Sequence, residues 1–259
     1  MGEPHLLALF AITDPALLIA LCLLMAVSSA LQTATGFGFA ILSAPVEAVL
    51  LDSPAAAVTT VMIVGTAVDL LILFLRRRPP QPRWDELAVL GVSSLPGLAL
   101  GAYLLVVLAQ QLLMVIIAAA VLAAIAFRVA ARGADRPVVP ASRRWGAAAG
   151  LLSGALATST TLGGPPTVYY LTRRPYSPPT IRDTLVALNL VRLPLSVAAL
   201  AVGGVLVVVP GLAWLILSAL AGFVVGDRVF RALNPGRYEA LVLTLLSLAA
   251  LVAVASTFA

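Results

Sequence analysis

The sequence predicts an all-α polytopic membrane protein built from two inverted repeats of about five helical segments each. Hydrophobic residues make up 61% of the chain and charged residues only 10%, which is far more apolar than a soluble domain. Apolar runs of about 15 to 22 residues follow one another with short breaks, and each covers most of a hydrocarbon core about 30 Å thick. Arginines are confined almost entirely to some of these breaks, as expected for a chain that crosses a bilayer repeatedly.

Proline, glycine and charged residues divide the chain into ten helical segments. The segments are 15–34, 36–51, 54–75, 85–107 and 110–131 in the first half, and 145–160, 164–173, 179–201, 210–229 and 237–258 in the second. We expect one membrane domain over residues 1–259, in which 15–131 is the first repeat, 132–144 a cytoplasmic linker and 145–258 the second repeat. The second and seventh segments are too short to span comfortably, so we expect glycine-broken short helices or hairpins at the start of each repeat.

All 16 basic residues are arginines, and their positions predict the topology, because positive residues accumulate in cytoplasmic loops. Apart from Arg192, they cluster at 76–83, 128–144, 173–182 and 228–237. The other connections and both termini contain none, so we expect both termini outside. In this threading the third and eighth segments run in opposite directions although they hold equivalent places, which makes the two halves inverted.

A shift of about 125 residues aligns the two halves. It pairs Thr35 with Thr160, Gly38 with Gly163, Pro54 with Pro179, Thr59 with Thr184, Gly97 with Gly222 and Gly101 with Gly226. The glycine and proline pairs carry most weight, because these residues mark turns and close helix contacts. By analogy, inverted repeats with broken helices favour a secondary transporter whose substrate binds near the midplane.

Two glycine-rich interruptions, TATGFGFAILSAP and TSTTLGGPPTVYYL, lie at equivalent places in the halves and predict an anion site. Freed N–H groups and the positive end of a helix dipole attract anions, and glycine lets the backbone approach the ligand. The candidate substrate ligands here are Thr35, Gly36, Gly38, Thr160, Thr161, Gly163 and Gly164, and the hydroxyls of Thr33, Thr158 and Ser159 are further donors. The alternative is that these glycines and small hydroxyls serve helix packing.

Arg192 is the one arginine that the topology leaves inside a segment, where it costs at least about 2.5 to 3.5 kcal/mol unless a partner offsets it. Asp69, in the equivalent segment of the first half, is a candidate partner or a group that changes protonation during transport. Asn189 lies one turn before Arg192 and shares its face. A structural ion pair, or an arginine that reaches to the interface, is the alternative.

The remaining acidic residues of interest are Glu47 and a group near the arginine clusters. Glu47 is a second candidate for coupling to protons, with a position near the outer interface as the alternative. The acidic residues Asp85, Glu86, Asp135 and Asp183 lie among the cytoplasmic arginines and are expected to be solvated.

Several function classes find no support in the sequence. There is no HExxH motif, no GxSxG in a strand–turn–helix context and no cluster of histidine, cysteine and carboxylate, so we expect no catalytic residues, no metal and no cofactor. The single cysteine, Cys22, excludes an internal disulfide. The basic residues are not interleaved with aromatic residues, so we expect no nucleic-acid partner.

The chain resembles the sulfite exporter TauE/SafE family of membrane transporters over nearly its whole length. The resemblance rests on GFGFAILSAP at 36–45, LGGPPTVYYL at 162–171, IRDTL at 181–185 and GFVVGDRVFRAL at 222–233. It implies transport of sulfite, sulfonates or related organosulfur anions across a bacterial cytoplasmic (inner) membrane. The first half has Phe37 and Phe39 where GxGGG is commoner. The two glycine-rich interruptions, called the first and second tips below, are therefore not expected to bind a ligand symmetrically.

The leading hypothesis is therefore a secondary transporter, not an enzyme, that binds a small sulfur-containing anion at the two tips and Arg192. Its partners are the anion, membrane lipid and, as the candidate coupling ion, protons; a homodimer is a candidate assembly. A non-transporting assembly or sensory subunit is the alternative, and an intramembrane enzyme is a third possibility.

Overall fold

The described residues of the computed structural model are 14–35, 38–74, 79–131 and 142–232, with a few positions between 244 and 255. They form nine α-helices and no strand. The helices are α1 (Pro15–Thr35), α2 (Phe39–Leu50), α3 (Pro54–Phe74), α4 (Trp84–Val107), α5 (Gln110–Ala131), α6 (Arg143–Thr160), α7 (Gly164–Thr172), α8 (Pro178–Val202) and α9 (Leu212–Ala232).

The helices agree with the first nine predicted segments to within about three residues at each end. In the described part of the chain, four of them, α1, α3, α4 and α8, are long and apolar enough to cross a membrane. The prediction of an all-α polytopic membrane protein is therefore confirmed. The tenth predicted segment and most of the linker at 132–144 lie outside the described residues.

Each of the two short helices follows an interruption of the helical conformation that local residues explain. Gly38 precedes α2 with φ 127°, a conformation that residues with a Cβ rarely adopt. At the other break, Thr161 ends α6 in the left-handed conformation with φ 61°. Pro165 and Pro166 then fix the first turn of α7. At 12 and 9 residues, α2 and α7 are about 18 Å and 14 Å long, too short to cross alone.

Helices α4 and α6 make the most extensive contact in the described structure, and glycines allow it. A Cβ added to Gly97 would collide with the backbone carbonyl of Leu151, and one added to Gly101 would collide with that of Ala155. The helices therefore approach backbone to backbone, as small residues permit in membranes.

Helices α9 and α1 make the next most extensive contact, in the same manner. A Cβ on Gly222 would collide with the backbone of Ala26, and one on Gly226 with the backbone of Ala30. Subtracting 125 from the numbers of the α4–α6 partners (151 − 125 = 26 and 155 − 125 = 30) gives these same residues. The α4–α6 glycine contacts therefore recur between α9 and α1 at positions related by the same 125-residue shift that aligns the sequence. The opposite orientation of the halves in the bilayer stays a prediction.

Many large apolar side chains lie on the outside of the described helices. Leu23, Val92 and Leu122 have exposed fractions of 63%, 69% and 48%. Such a surface suits a lipid environment, where apolar side chains need no cover. Trp84 and Trp145, at the starts of α4 and α6, are also exposed, as expected of residues that anchor at an interface.

Candidate functional site

A cavity of about 110 Å³ lies between α1, α2, α3, the end of α6 and α8. Its polar lining consists of Gln32, Thr66, Asp69, Thr161, Asn189, Arg192 and Ser196. Four of these, Asp69, Thr161, Asn189 and Arg192, are residues that the sequence singled out. The structure therefore brings Asp69 of α3 and Arg192 of α8 to one space inside the bundle.

Asp69 is 3% exposed and is held by two side-chain amides. Gln32 Nε2 donates to Asp69 Oδ1 at 2.6 Å, and Asn189 Nδ2 donates to Asp69 Oδ2 at 3.0 Å. Hydrogen bonds to both oxygens partly replace the water that the carboxyl group loses on burial. Asn189 thus contacts Asp69 directly, whereas the sequence suggested only that it shares a face with Arg192.

Gln32, which was not among the predicted site residues, connects Asp69 to the start of α2. Its Oε1 accepts a hydrogen bond from the backbone N–H of Phe39 at 3.0 Å. The sequence signal was an amide in an otherwise apolar run, which looks the same as a packing residue. In the structure, Asp69 holds the first tip through this amide.

Arg192 is 4% exposed and donates to two hydroxyls and a carbonyl. Nε donates to Ser94 Oγ at 3.0 Å, Nη1 to Ser153 Oγ at 2.7 Å and Nη2 to Leu90 O at 3.3 Å. No ion pair joins Arg192 to Asp69, so the expected direct partnership is not formed. Arg192 instead binds the hydroxyls of Ser94 and Ser153, which the close α4–α6 contact brings within reach. The burial of Arg192 also excludes the interfacial alternative.

The partners of Arg192 leave its positive charge without a contacting carboxylate. A guanidinium has five N–H donors, and within the described residues three of them are engaged. Two donors remain on a group that lines the cavity. An anion in the cavity would supply both the missing charge and the missing acceptors.

Ser153 connects Arg192 to the second tip. Its hydroxyl accepts from Arg192 and donates in turn to the backbone carbonyl of Gly163, between α6 and α7. The two halves thus have similar connections to their tips, one built on a negative and the other on a positive side chain. On one side a carboxylate holds a backbone N–H through an amide, and on the other a guanidinium holds a backbone carbonyl through a hydroxyl.

The predicted hydroxyl donors at the second tip are bound to the backbone. Thr160 Oγ1 donates to Leu156 O at 2.9 Å, and Thr161 Oγ1 donates to Thr160 O at 2.6 Å. These hydrogen bonds favour the packing alternative for the two hydroxyls, although Thr161 also lines the cavity. A Cβ at Gly164 would meet no atom within 4 Å, so this position is open.

The first tip is described only in part. Thr35 is the last residue of α1, and Gly38 lies directly before α2. Gly36 falls outside the described residues, and so does the side chain of Thr35. Ala40, in the first turn of α2, lines the cavity.

Glu47 lies in α2 and is fully buried, so it does not approach the outer interface. Neither carboxyl oxygen has a hydrogen-bond partner in the described part of the structure. It differs in this respect from Asp69. A buried polar group without a partner is unusual and calls for a physical explanation.

Glu86 is buried, not solvated as predicted. It accepts hydrogen bonds from Tyr170 Oη at 2.7 Å, Arg174 Nε at 2.7 Å and Tyr176 Oη at 2.9 Å. Burial, and then the hydrogen bond to Glu86, raise the pKa of Tyr176 above its usual value. Glu86 thus ties the start of α4 to the end of α7 and to the connection that follows it.

Asp183 is buried as well, so the prediction that it is solvated is also wrong. Its Oδ2 accepts from the backbone N–H of Gln81 at 3.0 Å, while Thr184 Oγ1 accepts from the N–H of Arg83 at 2.9 Å. Asp85 is exposed as expected, with Arg83 at 3.2 Å. The connection before α4 is therefore fixed to α8. The fourth residue of this group, Asp135, is outside the described residues.

Membrane-length apolar helices, close glycine contacts and a buried polar cavity define a polytopic helical membrane protein. The family model described as "Sulfite exporter TauE/SafE" matches residues 20–253, and the chain belongs to this family. The resemblance seen in the sequence is thereby confirmed, and the protein is a membrane transporter. Searches of curated proteins and of solved structures each return no match.

Proposed function

We propose that the protein is a secondary transporter of small sulfur-containing anions, such as sulfite or short sulfonates, across the bacterial cytoplasmic membrane. The observation that carries the proposal is the buried guanidinium of Arg192, which lines the cavity without a carboxylate partner. A buried charge of this kind is costly unless a counter-charge is present. The transported anion supplies that counter-charge while it is bound.

The size of the cavity supports a small substrate. Its volume of about 110 Å³ is well below the roughly 300 to 1,000 Å³ of pockets that hold drug-sized ligands. A sulfur oxyanion with few heavy atoms suits this space better than a long-chain sulfonate. Asn189 and Ser196, three and four residues from Arg192, share its helix face and are the proposed polar contacts on α8.

The two tips contribute unequally to this proposed site. Pro165 and Pro166 have no N–H, so α7 lacks two of its first-turn donors. Gly163 and Gly164 are the remaining candidates there. At the start of α2, Gln32 already engages the N–H of Phe39, and the next residue, Ala40, lines the cavity.

The first tip is accordingly the proposed main source of backbone donors. Thr35, Gly36 and Gly38 belong to the proposed anion site through this tip, and Thr160 and Thr161 through the other one. Coupling to protons, with Asp69 and Glu47 as the candidate carboxyls, is also part of the proposal, as is assembly as a homodimer.

Transport by purified protein in liposomes tests the proposal. Wild-type protein should take up radiolabelled sulfite or methanesulfonate, and Arg192→Ala should abolish uptake. Arg144→Ala, which removes an exposed arginine from the first turn of α6, is the matched control and should transport normally. Unimpaired uptake by a folded Arg192→Ala variant would remove Arg192 from the site. Absence of any uptake by wild-type protein would favour the assembly or sensory alternative.

A further inference from the structure

Glu47 is the acidic side chain in the described membrane helices whose two carboxyl oxygens are buried and lie outside hydrogen-bonding geometry. Its exposed fraction is 0%, and both oxygens lack a hydrogen bond within the described structure. Asp69, by contrast, accepts from two amides, and Glu86 accepts from three side chains. An isolated carboxylate in an apolar interior is far more costly than the neutral acid. The site therefore accommodates a carboxylic acid.

Among the described residues, few charged groups lie on the elements that pack against α2. These elements are α1, α3 and α5. Helix α1 contains no charged residue, the only charged residue of α3 is Asp69, and the only one of α5 is Arg128, near its end. Asp69 lies nine residues beyond Thr60, about 14 Å along the helix. Arg128 lies 18 residues, or about 27 Å, along α5 from Gln110, the residue that binds Asp52 just after α2, so its backbone is far from Glu47.

Thr60 is the polar side chain beside the carboxyl group of Glu47. Its hydroxyl proton is already committed, because Oγ1 donates to Ala56 O at 2.8 Å. The oxygen of Thr60 is therefore available to accept a hydrogen bond from a protonated Glu47.

Helix α2 joins Glu47 to the proposed anion site. The same helix begins at Phe39 and Ala40 in the cavity wall, eight residues or about 12 Å from Glu47. Its first N–H is held by Gln32, which also binds Asp69. Movement of this short helix would change the surroundings of Glu47 and the backbone donors of the cavity together.

We propose that Glu47 is the proton-binding site through which transport is coupled to a proton gradient, with α2 as the element that carries the coupling. The inference rests on the proposed function. Loss of the proton leaves a charge that the present packing cannot accommodate, so α2 must shift to bring the carboxylate to water or to a partner. That shift alters the first tip, so that proton release and anion release are linked.

Transport of methanesulfonate tests this proposal, because this probe stays a monoanion over the accessible pH range. For one proton per anion, a gradient of one pH unit should raise accumulation by wild-type protein by up to about tenfold. Glu47→Gln should retain exchange of labelled for unlabelled methanesulfonate and lose this increase. Asp52→Asn is the matched control two residues beyond the same helix, where the side chain is exposed and its oxygen can still accept from Gln110, and should behave as wild type.

The outcomes separate this proposal from the proposed function. Accumulation that follows the pH gradient in Glu47→Gln, or exchange without any pH effect in wild type, would overturn the role of Glu47 and leave anion transport standing. Absence of exchange in wild type would overturn both. Should Glu47→Gln fail to fold, wild-type protein still decides the matter. Dicyclohexylcarbodiimide, which reacts with protonated carboxyls in apolar sites, should modify Glu47, and an unmodified Glu47 would contradict the proposal.

Discussion

Arg192 Nη1 and Ser153 Oγ lie 2.7 Å apart, although 39 residues separate them in the chain. The serine passes this contact on to the carbonyl of Gly163. The guanidinium is thus fixed at the cavity and at the same time fixes the turn between α6 and α7. A residue proposed to bind substrate is therefore also part of the scaffold that shapes the site.

Ser153→Ala should weaken both functions of this contact. It leaves one N–H of Arg192 without its partner and the carbonyl of Gly163 with only the longer bond from Thr167 Oγ1 at 3.3 Å, at a cost of about 1 to 3 kcal/mol. Thermal unfolding in detergent should show the loss, and uptake should show a raised KM. Ser159→Ala on the same helix is the control, because Ser159 donates only within α6. Equal effects of the two substitutions would argue against the connection through Ser153.

Asp69→Asn should disrupt the contact with Asn189 by placing two amide donors against each other. We expect a loss of about 1 to 3 kcal/mol of stability, because one buried donor is left unsatisfied. Adding Asn189→Asp restores a donor opposite an acceptor and should recover much of the loss. Thermal unfolding of the two single variants and the double variant gives the coupling free energy. Simple additivity would show that the pair does not interact.

Gly97→Ala and Gly222→Ala should destabilise the protein to a similar extent. In each case the new methyl group would collide with the backbone of the partner helix, and overpacking of this kind costs about 1 to 3 kcal/mol. Gly91→Ala is the matched control on α4, since its Cβ would meet only a Leu188 methyl group at 4.0 Å. Size-exclusion chromatography and thermal unfolding would measure the effect. Tolerance of alanine at only one of the first two sites would contradict an equivalent role.

Asp52 and Ser177 test the predicted inversion of the halves. Both are exposed, and the 125-residue shift relates them (177 − 125 = 52). With the single native cysteine removed by Cys22→Ala, Asp52→Cys should react with an impermeant maleimide on intact cells. Ser177→Cys should react only after the cells are opened. Labelling of both cysteines from the same side would refute the inversion.

The raised pKa of Tyr176 predicts that the contact between α4 and the α7–α8 connection stabilises the protein less at alkaline pH. Its pKa is raised, so the folded protein holds the phenolic proton more tightly than the unfolded chain does. The resulting stabilisation is complete below the usual tyrosine pKa of about 10 and disappears as the pH rises through the raised value. The melting temperature should fall more in wild type than in Tyr176→Phe over that range. If the melting temperatures of the two proteins fell in parallel with pH, Tyr176 would have no such role.

The sequence predicted the helices well because their ends depend on local residues. Prolines at the starts of α1, α3 and α8, and glycines at the breaks before α2 and α7, act on the backbone where they stand. Arg192 and Asp69 were also recognisable, because a charge inside an apolar segment is unusual wherever it pairs. These features need no knowledge of the fold.

The partners of the charged residues could not be predicted in the same way. Ser153 and Gln32 look like ordinary small or polar packing residues until the helices are placed side by side. The burial of Glu86 depends on side chains 84 to 90 residues away, and a cluster of nearby arginines suggested solvent instead. Side-chain pairing across helices is set by tertiary packing, which local pattern does not encode.

The unlike connections at the two tips have a consequence for the energetics of the transport cycle. In a transporter with equivalent inverted halves, the inward-open and outward-open forms would have equal free energy, since each is the other turned over. A carboxylate–amide tether on one side and a guanidinium–hydroxyl tether on the other remove that equality. For the proposed transporter, we therefore expect the empty protein to prefer either the inward-open or the outward-open form, with the balance of the two sets of hydrogen bonds determining which.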